Sequence, residues 1–257
     1  MCILFIAVKQ HPKFPLIIAA NRDEFYQRPT LESGYWPDFP HLLGGKDLEA
    51  GGTWMGVTKQ GYVSALTNIR APHLNRDNAQ SRGQLVLDYL TKPTLRASYV
   101  QQLHRTRSVF NGYNLLFGKW HDLAVYNNHE DSLQFLDNGF YGLSNANLNS
   151  PWPKINKGVQ ALKHYCEQMN QVEPEILLEL MRNEDKAEDH LLPKTGVPEI
   201  WEKQLSSIFI NTQGYGTRTS TIFWIDDNSE AFWYERTFNE KAEITGDIKQ
   251  QFSICGN

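Results

Sequence analysis

The chain opens with two runs that have no polar side. Ile3 to Val8 and Leu16 to Ala20 are apolar at every position, and the loop between them carries Pro12 and Pro15. Side chains alternate across a strand, so a strand lacking a polar side needs cover on both faces of its sheet. The link is too short for a parallel crossover, so the runs pair as an antiparallel hairpin. Setting Val8 opposite Leu16 then places Cys2 opposite Arg22.

A second hairpin is read from Thr53 to Val57, turning at Lys59-Gln60-Gly61 and returning from Tyr62 to Thr67, with Asn68 at its end. Helical spacing runs from Ser81 to Leu90 and from Leu95 to Leu103, broken by Lys92-Pro93. Strands are expected at Tyr113 to Phe117, Leu123 to Tyr126, Leu133 to Leu136 and Tyr141 to Ser144. A second helix pair covers Ile155 to Met169 and Pro174 to Arg182. Asn183 to His190 is a charged loop, and Ile208 to Asn211, Thr219 to Ile225 and Ala231 to Glu235 read as further strands. Antiparallel hairpins interrupted by two helix pairs predict an α+β fold with helices packed outside stacked sheets, most simply helix, sheet, sheet, helix. At 257 residues with 40% hydrophobic content, one domain over 1–257 can bury such a core.

A net charge of −4 with scattered basic residues argues against a nucleic-acid binder and for a small-molecule partner. Three cysteines, Cys2, Cys166 and Cys255, are odd in number and far apart, which fits a reducing compartment. The apolar start lacks the flanks of a signal peptide, and no stretch approaches the ~20 apolar residues of a membrane span. A cytoplasmic location is expected. The eight histidines show no metal-ligand spacing, so no metal is expected.

Chemistry concentrates at Cys2. Removal of Met1 would give one residue both a thiol and a free α-amine, and the amine can then take the thiol's proton. The plainer alternative is a small buried residue at a strand start. Arg22, opposite Cys2, would favour the thiolate, while Asp23 or Glu24 could hold the amine or fix the arginine; a solvated turn with local ion pairs is the alternative. Asn68 and Asn145 are amides at strand ends, able to donate to an oxyanion or to serve as ordinary turn residues. Arg218, in Gly216-Thr217-Arg218-Thr219, could bind an anionic group. Trp54, Thr67 and Arg70 are the expected ligand-binding positions. Gly44-Gly45 and Gly51-Gly52 suit turns.

Together, Met1-Cys2 before an apolar strand, Asn21-Arg22-Asp23-Glu24, Gly51-Gly52-Thr53-Trp54-Met55-Gly56, Leu66-Thr67-Asn68, Ser81-Arg82-Gly83, Gly142-Leu143-Ser144-Asn145, Pro151-Trp152-Pro153-Lys154 and Tyr215-Gly216-Thr217-Arg218 resemble the NRDE, or transport and Golgi organisation, family across nearly the whole chain. That family resembles the N-terminal nucleophile (Ntn) hydrolases, which implies an αββα four-layer sandwich with largely antiparallel sheets. By resemblance to the penicillin and bile-salt amidase group, Cys2 matches the nucleophile, Arg22 and Asp23 the neighbouring arginine and aspartate, Asn68 and Asn145 the oxyanion and amine-holding positions, and Arg218 the late arginine. The amidases separate their arginine and aspartate by two residues, whereas here Arg22 and Asp23 adjoin, so Asp23 and Glu24 both remain candidates. The implied activity is amide hydrolysis without a cofactor. The family's association with haem trafficking and lipid or acyl-CoA metabolism implies a rival: a non-enzymatic carrier with haem as ligand.

Overall fold

The computed structural model describes residues 2–255. Met1 lies outside them. Among the described residues the strands are β1 (Cys2–Val8), β2 (Leu16–Phe25), β3 (Thr30–Trp36), β4 (Phe39–Asp47), β5 (Met55–Thr58), β6 (Tyr62–Asn68), β7 (Tyr113–Lys119), β8 (Asp122–Asn127), β9 (Ser132–Phe135), β10 (Gly139–Leu143), β11 (Asn211–Thr212), β12 (Tyr215–Ile225), β13 (Glu230–Phe238) and β14 (Ile244–Ser253). The helices are α1 (Gly83–Thr91), α2 (Arg96–Thr106), α3 (Pro153–Gln168), α4 (Pro174–Met181) and α5 (Glu199–Gln204). The described residues form two compact units, one of residues 2–27, 137–144 and 148–253, the other of 28–136, 145–147 and 254–255.

In the first unit an antiparallel sheet runs β10-β1-β2-β12-β13-β14, with β11 beside β12. The opening hairpin has the expected register, Val8 on Leu16 and Cys2 on Arg22. Alternate residues Ile3, Phe5, Ala7, Ile17 and Ala19 meet Ile155, Leu162 and Tyr165 of α3 and Leu177, Leu178 and Met181 of α4 in one cluster. Their neighbours Leu4, Ile6, Leu16 and Ile18 are also buried, so both faces of these strands are covered. Pro153 opens α3 where its missing N–H costs nothing, and Ile155, Gly158, Leu162, Tyr165 and Cys166 make its buried stripe. Gly158 allows close approach: a Cβ there would lie 2.0 Å from the Phe5 ring.

In the second unit the sheet order is β3-β4-β5-β6-β7-β8-β9, all antiparallel. Leu85, Val86, Tyr89 and Leu90 of α1 and Tyr99 and Leu103 of α2 pack on Leu66, Leu115, Phe117 and Tyr126. Each unit therefore pairs one sheet with one helix pair.

The differences from expectation are local. β2 does not end at Ala20: because β1 and β12 flank it on both sides, it continues through Asn21-Arg22-Asp23-Glu24 to Phe25. β3, β4, β14 and α5 go unannounced in the sequence, and the strand expected at Ile208 to Asn211 reduces to β11. Gly44 and Gly45 lie within β4 rather than in a turn, since a Cβ on Gly45 would fall 2.2 Å from the Trp54 ring. Gly61 does serve a turn, with φ +79. No helix among the described residues is long and apolar enough to cross a membrane.

Candidate functional site

Cys2, Arg22 and Thr219 form one row across β1, β2 and β12, so their side chains share a face. Asn21 and Asp23 point the other way, toward α3 and α4. The Asn21 carboxamide donates to Met181 O at 2.8 Å and Ile208 O at 3.0 Å and accepts from Ser220 Oγ at 2.6 Å. The polar run thus divides, with Arg22 on the thiol's face and Asn21 and Asp23 anchored behind it.

Asp23, 1% exposed, is the enclosed carboxylate; Glu24 is partly exposed and accepts from the Phe25 N–H. Thr217 faces Asp23 across the strands, and its Oγ1 donates to Asp23 Oδ1 at 2.7 Å while accepting from Ile210 N at 2.9 Å. Tyr215 Oη donates to Asp23 O at 3.0 Å. Burial pushes the Asp23 carboxyl up to about 6, against the pull of the Lys154 charge and the Thr217 hydrogen bond.

Cys2 keeps partial exposure, yet the protein packed round its thiol raises the pKa; Asp23 and Glu24 add to the rise and Arg22 opposes it. Arg22 does favour the thiolate, as expected, but desolvation outweighs the guanidinium and leaves the thiol pKa above its ordinary value. A thiol of this kind needs a base to react. Ser144 Oγ donates to Cys2 O at 3.4 Å.

Arg218 occupies a register shift in β12 between Thr217 and Thr219. Displaced from the ladder, its Nη1 donates to Phe25 O at 3.0 Å and Tyr26 O at 3.2 Å. Burial, then the charge of Arg22, lowers its pKa, so the two guanidiniums lie within electrostatic reach of each other.

The second unit assembles the amides. Asn68 ends β6, and its carboxamide has no hydrogen-bond partner among the described residues. Asn145 Nδ2 donates to Asn68 O at 3.0 Å, while Arg70 donates from its backbone N to Asn145 O at 2.8 Å and from Nη2 to Asn145 Oδ1 at 3.5 Å. Thr67 is buried and accepts from Asn114 Nδ2 at 3.0 Å. Asn114 also donates to Ala146 O at 2.8 Å, and Asn127 Nδ2 to Asn147 Oδ1 at 3.0 Å, which holds the segment carrying Asn145. Trp54 is buried over Gly45, and its carbonyl accepts from Leu66 N at 2.8 Å.

The first unit thus brings together Cys2, Arg22, Asp23 and Arg218, and the second Asn68, Arg70 and Asn145. Sequence reasoning gave no role to Thr217 or Lys154. Both stood inside recognised motifs, and a buried lysine is the stronger signal, because lysine is seldom enclosed without a partner.

Among solved structures, the chain is similar to the Caenorhabditis elegans ortholog of N-acylethanolamine-hydrolyzing acid amidase, with a TM-score of 0.51 and 11% identity over 86% of this chain and 92% of that one. It is also similar to the C2A mutant of conjugated bile acid hydrolase from Clostridium perfringens, with a TM-score of 0.50 and 8% identity over 98% and 97%. At such identities the likeness speaks to the fold, and the chain has the Ntn-hydrolase fold. In sequence it is 33% identical to the human Transport and Golgi organization protein 2 homolog and 32% identical to the Mus musculus homolog, each over 94% of both chains. The Drosophila melanogaster Transport and Golgi organization protein 2 is 31% identical over 92% of both. The profile of Transport and Golgi organisation 2 matches residues 1–240, and the chain belongs to that family.

Proposed function

We propose that the protein is an Ntn-type cysteine amidase acting on a small molecule. Once Met1 is removed, the Cys2 α-amine takes the thiol proton as sulfur attacks the amide carbonyl. In this reading Asn68 and Asn145, with backbone donors, stabilise the tetrahedral oxyanion. Collapse releases the amine and leaves a thioester, which water hydrolyses. Asp23 holds the Cys2 amine, and Arg22 and Arg218 hold charge near the nucleophile.

One observation carries the reading: Cys2, Arg22 and Thr219 share a row, with Asp23 enclosed directly behind and fixed by Thr217. A binding protein has no need of a buried carboxylate anchored behind a strand-end thiol, whereas an amine that must act as a base does. The two structural neighbours are described as hydrolases, which supports the choice of reaction class.

Intact mass and peptide mapping before and after iodoacetamide test the proposal, in Cys255→Ser to remove the exposed thiol. Loss of Met1 with alkylation of Cys2 is expected, followed by turnover of amides that Cys2→Ala lacks. Retained Met1 with an inert Cys2 would sink the amidase reading, and a Soret shift on haem addition would then favour the carrier.

A further inference from the structure

The ten residues of β14 form one edge of the first unit's sheet, and among the described residues no strand pairs with its outer side. A free edge presents a row of main-chain donors and acceptors, and sheets blunt such edges by keeping them short, bulged or interrupted by proline. Other edges in this chain follow that rule: β10 has five residues, β9 has four, and β3 carries two shifts of register against β4. β14 does not. It has no proline, and from Gly246 to Ser253 it keeps regular register with β13; its irregularity lies at the far end, beside Phe238. Its hydrogen-bonded side chains turn back to β13, where Thr245 meets Thr237, Asp247 meets Arg236 and Tyr234, and Gln251 and Ser253 meet Glu230.

The order of residues along this edge says what can cover it. About Ile248, Asp247 mirrors Lys249, Gly246 mirrors Gln250, Thr245 mirrors Gln251 and Ile244 mirrors Phe252. From either end the pattern is apolar, polar, small or amide, charged, apolar, and the two mirrored charges are opposite in sign. An edge of one sign would call for a partner of the other sign; this edge is complementary to itself. Two antiparallel copies centred on Ile248 set each Asp247 against the partner's Lys249 and each Ile244 against the partner's Phe252. Asp247 and Lys249 share the face of Tyr234, and both are already held there. Asp247 Oδ1 accepts from Arg236 Nε at 2.8 Å and Oδ2 from Arg236 Nη2 at 2.9 Å, while Lys249 Nζ lies 4.3 Å from the centroid of the Tyr234 ring. Ile244 is 49% exposed, which leaves apolar surface at the end of the edge.

We propose that two copies of this chain pair antiparallel along β14, about a two-fold axis that passes through the Ile248 pair normal to the sheet. Such a contact is isologous and closes as a dimer. It joins the two seven-stranded sheets edge to edge and leaves both Cys2 rows on the same side. The pairing does not depend on the amidase reading.

Sedimentation velocity of the full chain tests it, with a monomer–dimer equilibrium as the expected result. Lys249→Glu sets carboxylate against Asp247 twice over and should weaken dimerisation about tenfold. Asp247→Lys should do the same, and an equimolar mixture of the two variants should recover dimers, because each supplies the charge that the other lacks. Register is read by cross-linking in a chain carrying Cys2→Ala and Cys255→Ser. Ile248→Cys should give a covalent dimer under copper–phenanthroline oxidation, since facing residues of an antiparallel pair lie about 4.5–5.5 Å apart at Cα, within disulfide reach. Thr245→Cys, three positions from the axis, lies roughly 20 Å from its counterpart and should not. Should either charge variant fail to fold, the cysteine variants decide alone. A chain that stays monomeric at every concentration up to its solubility limit overturns the proposal. So do filaments in place of dimers, a dimer indifferent to both charge changes, or cross-linking as ready from Thr245→Cys as from Ile248→Cys.

Discussion

Replacing Asp23 by asparagine should remove a cost that grows with pH, so that the variant's stability relative to wild type rises as pH rises. The folded-state pKa, about 6, lies above the ordinary value of 3.8, so the folded chain binds this proton more tightly than the unfolded one. Ionising Asp23 therefore costs stability; the cost is absent below pH 3.8 and complete above about pH 6. Roughly two units of separation at about 1.36 kcal/mol each make a cost of about 3 kcal/mol at neutral pH. Solvent screening takes little from this figure because the residue is only 1% exposed. Asparagine keeps an acceptor for Thr217 and has nothing to ionise. The stability of Asp23→Asn relative to wild type should rise by about 2–3 kcal/mol between pH 4 and pH 7.5, or by roughly 4–12 °C in Tm for a chain of this size. Thermal melts in matched-ionic-strength buffers measure it. A gap constant within about 1 kcal/mol across that range would refute the reasoning, because it would mean that Asp23 ionises as easily folded as unfolded.

Other outcomes follow from single contacts. Cys166, whose thiol burial pushes up to about 12, should resist iodoacetamide at pH 8 in the native protein and react only on denaturation, whereas exposed Cys255 reacts at once; peptide mapping distinguishes them. Gly158→Ala improves helix propensity by about 1 kcal/mol, yet drives a Cβ to 2.0 Å from the Phe5 ring, so a net loss of about 1–3 kcal/mol is expected, and a raised Tm would contradict the tight α3–β1 contact. Asn21→Leu deprives the Met181 and Ile208 carbonyls and the Ser220 hydroxyl of their partner, and denaturant titration should show a loss of about 2–4 kcal/mol. Cys2→Ala should leave the melt within a degree or two of wild type while abolishing turnover, since a partly exposed strand-end residue contributes little packing.

Much of the fold is legible in the chain because its signals are local. Two apolar runs and a proline-bearing loop are enough to set the register that puts Cys2 beside Arg22, and the period of Ile155, Leu162 and Tyr165 is enough to say which side of α3 is buried. Weak local pattern accounts for what was missed. β14 is an edge strand with no buried residue, and β3 mixes exposed and half-buried positions around a glycine, so neither carries the apolar alternation by which a strand is read.

The site divides along the same line. Residue types and strand ends marked Cys2, Arg22, Asn68 and Asn145 from sequence alone. Only the tertiary structure decided that Asp23 rather than Glu24 is the enclosed carboxylate, that it faces away from Arg22, and that the Cys2 thiol is held protonated. Asn145 meets the Asn68 carbonyl across 77 positions of chain, and Lys154 reaches Leu205 across 51. Spacing and periodicity report what neighbours along the chain will do. Desolvation and Coulomb energy depend on every group that folding brings near, and those groups come from distant parts of the sequence.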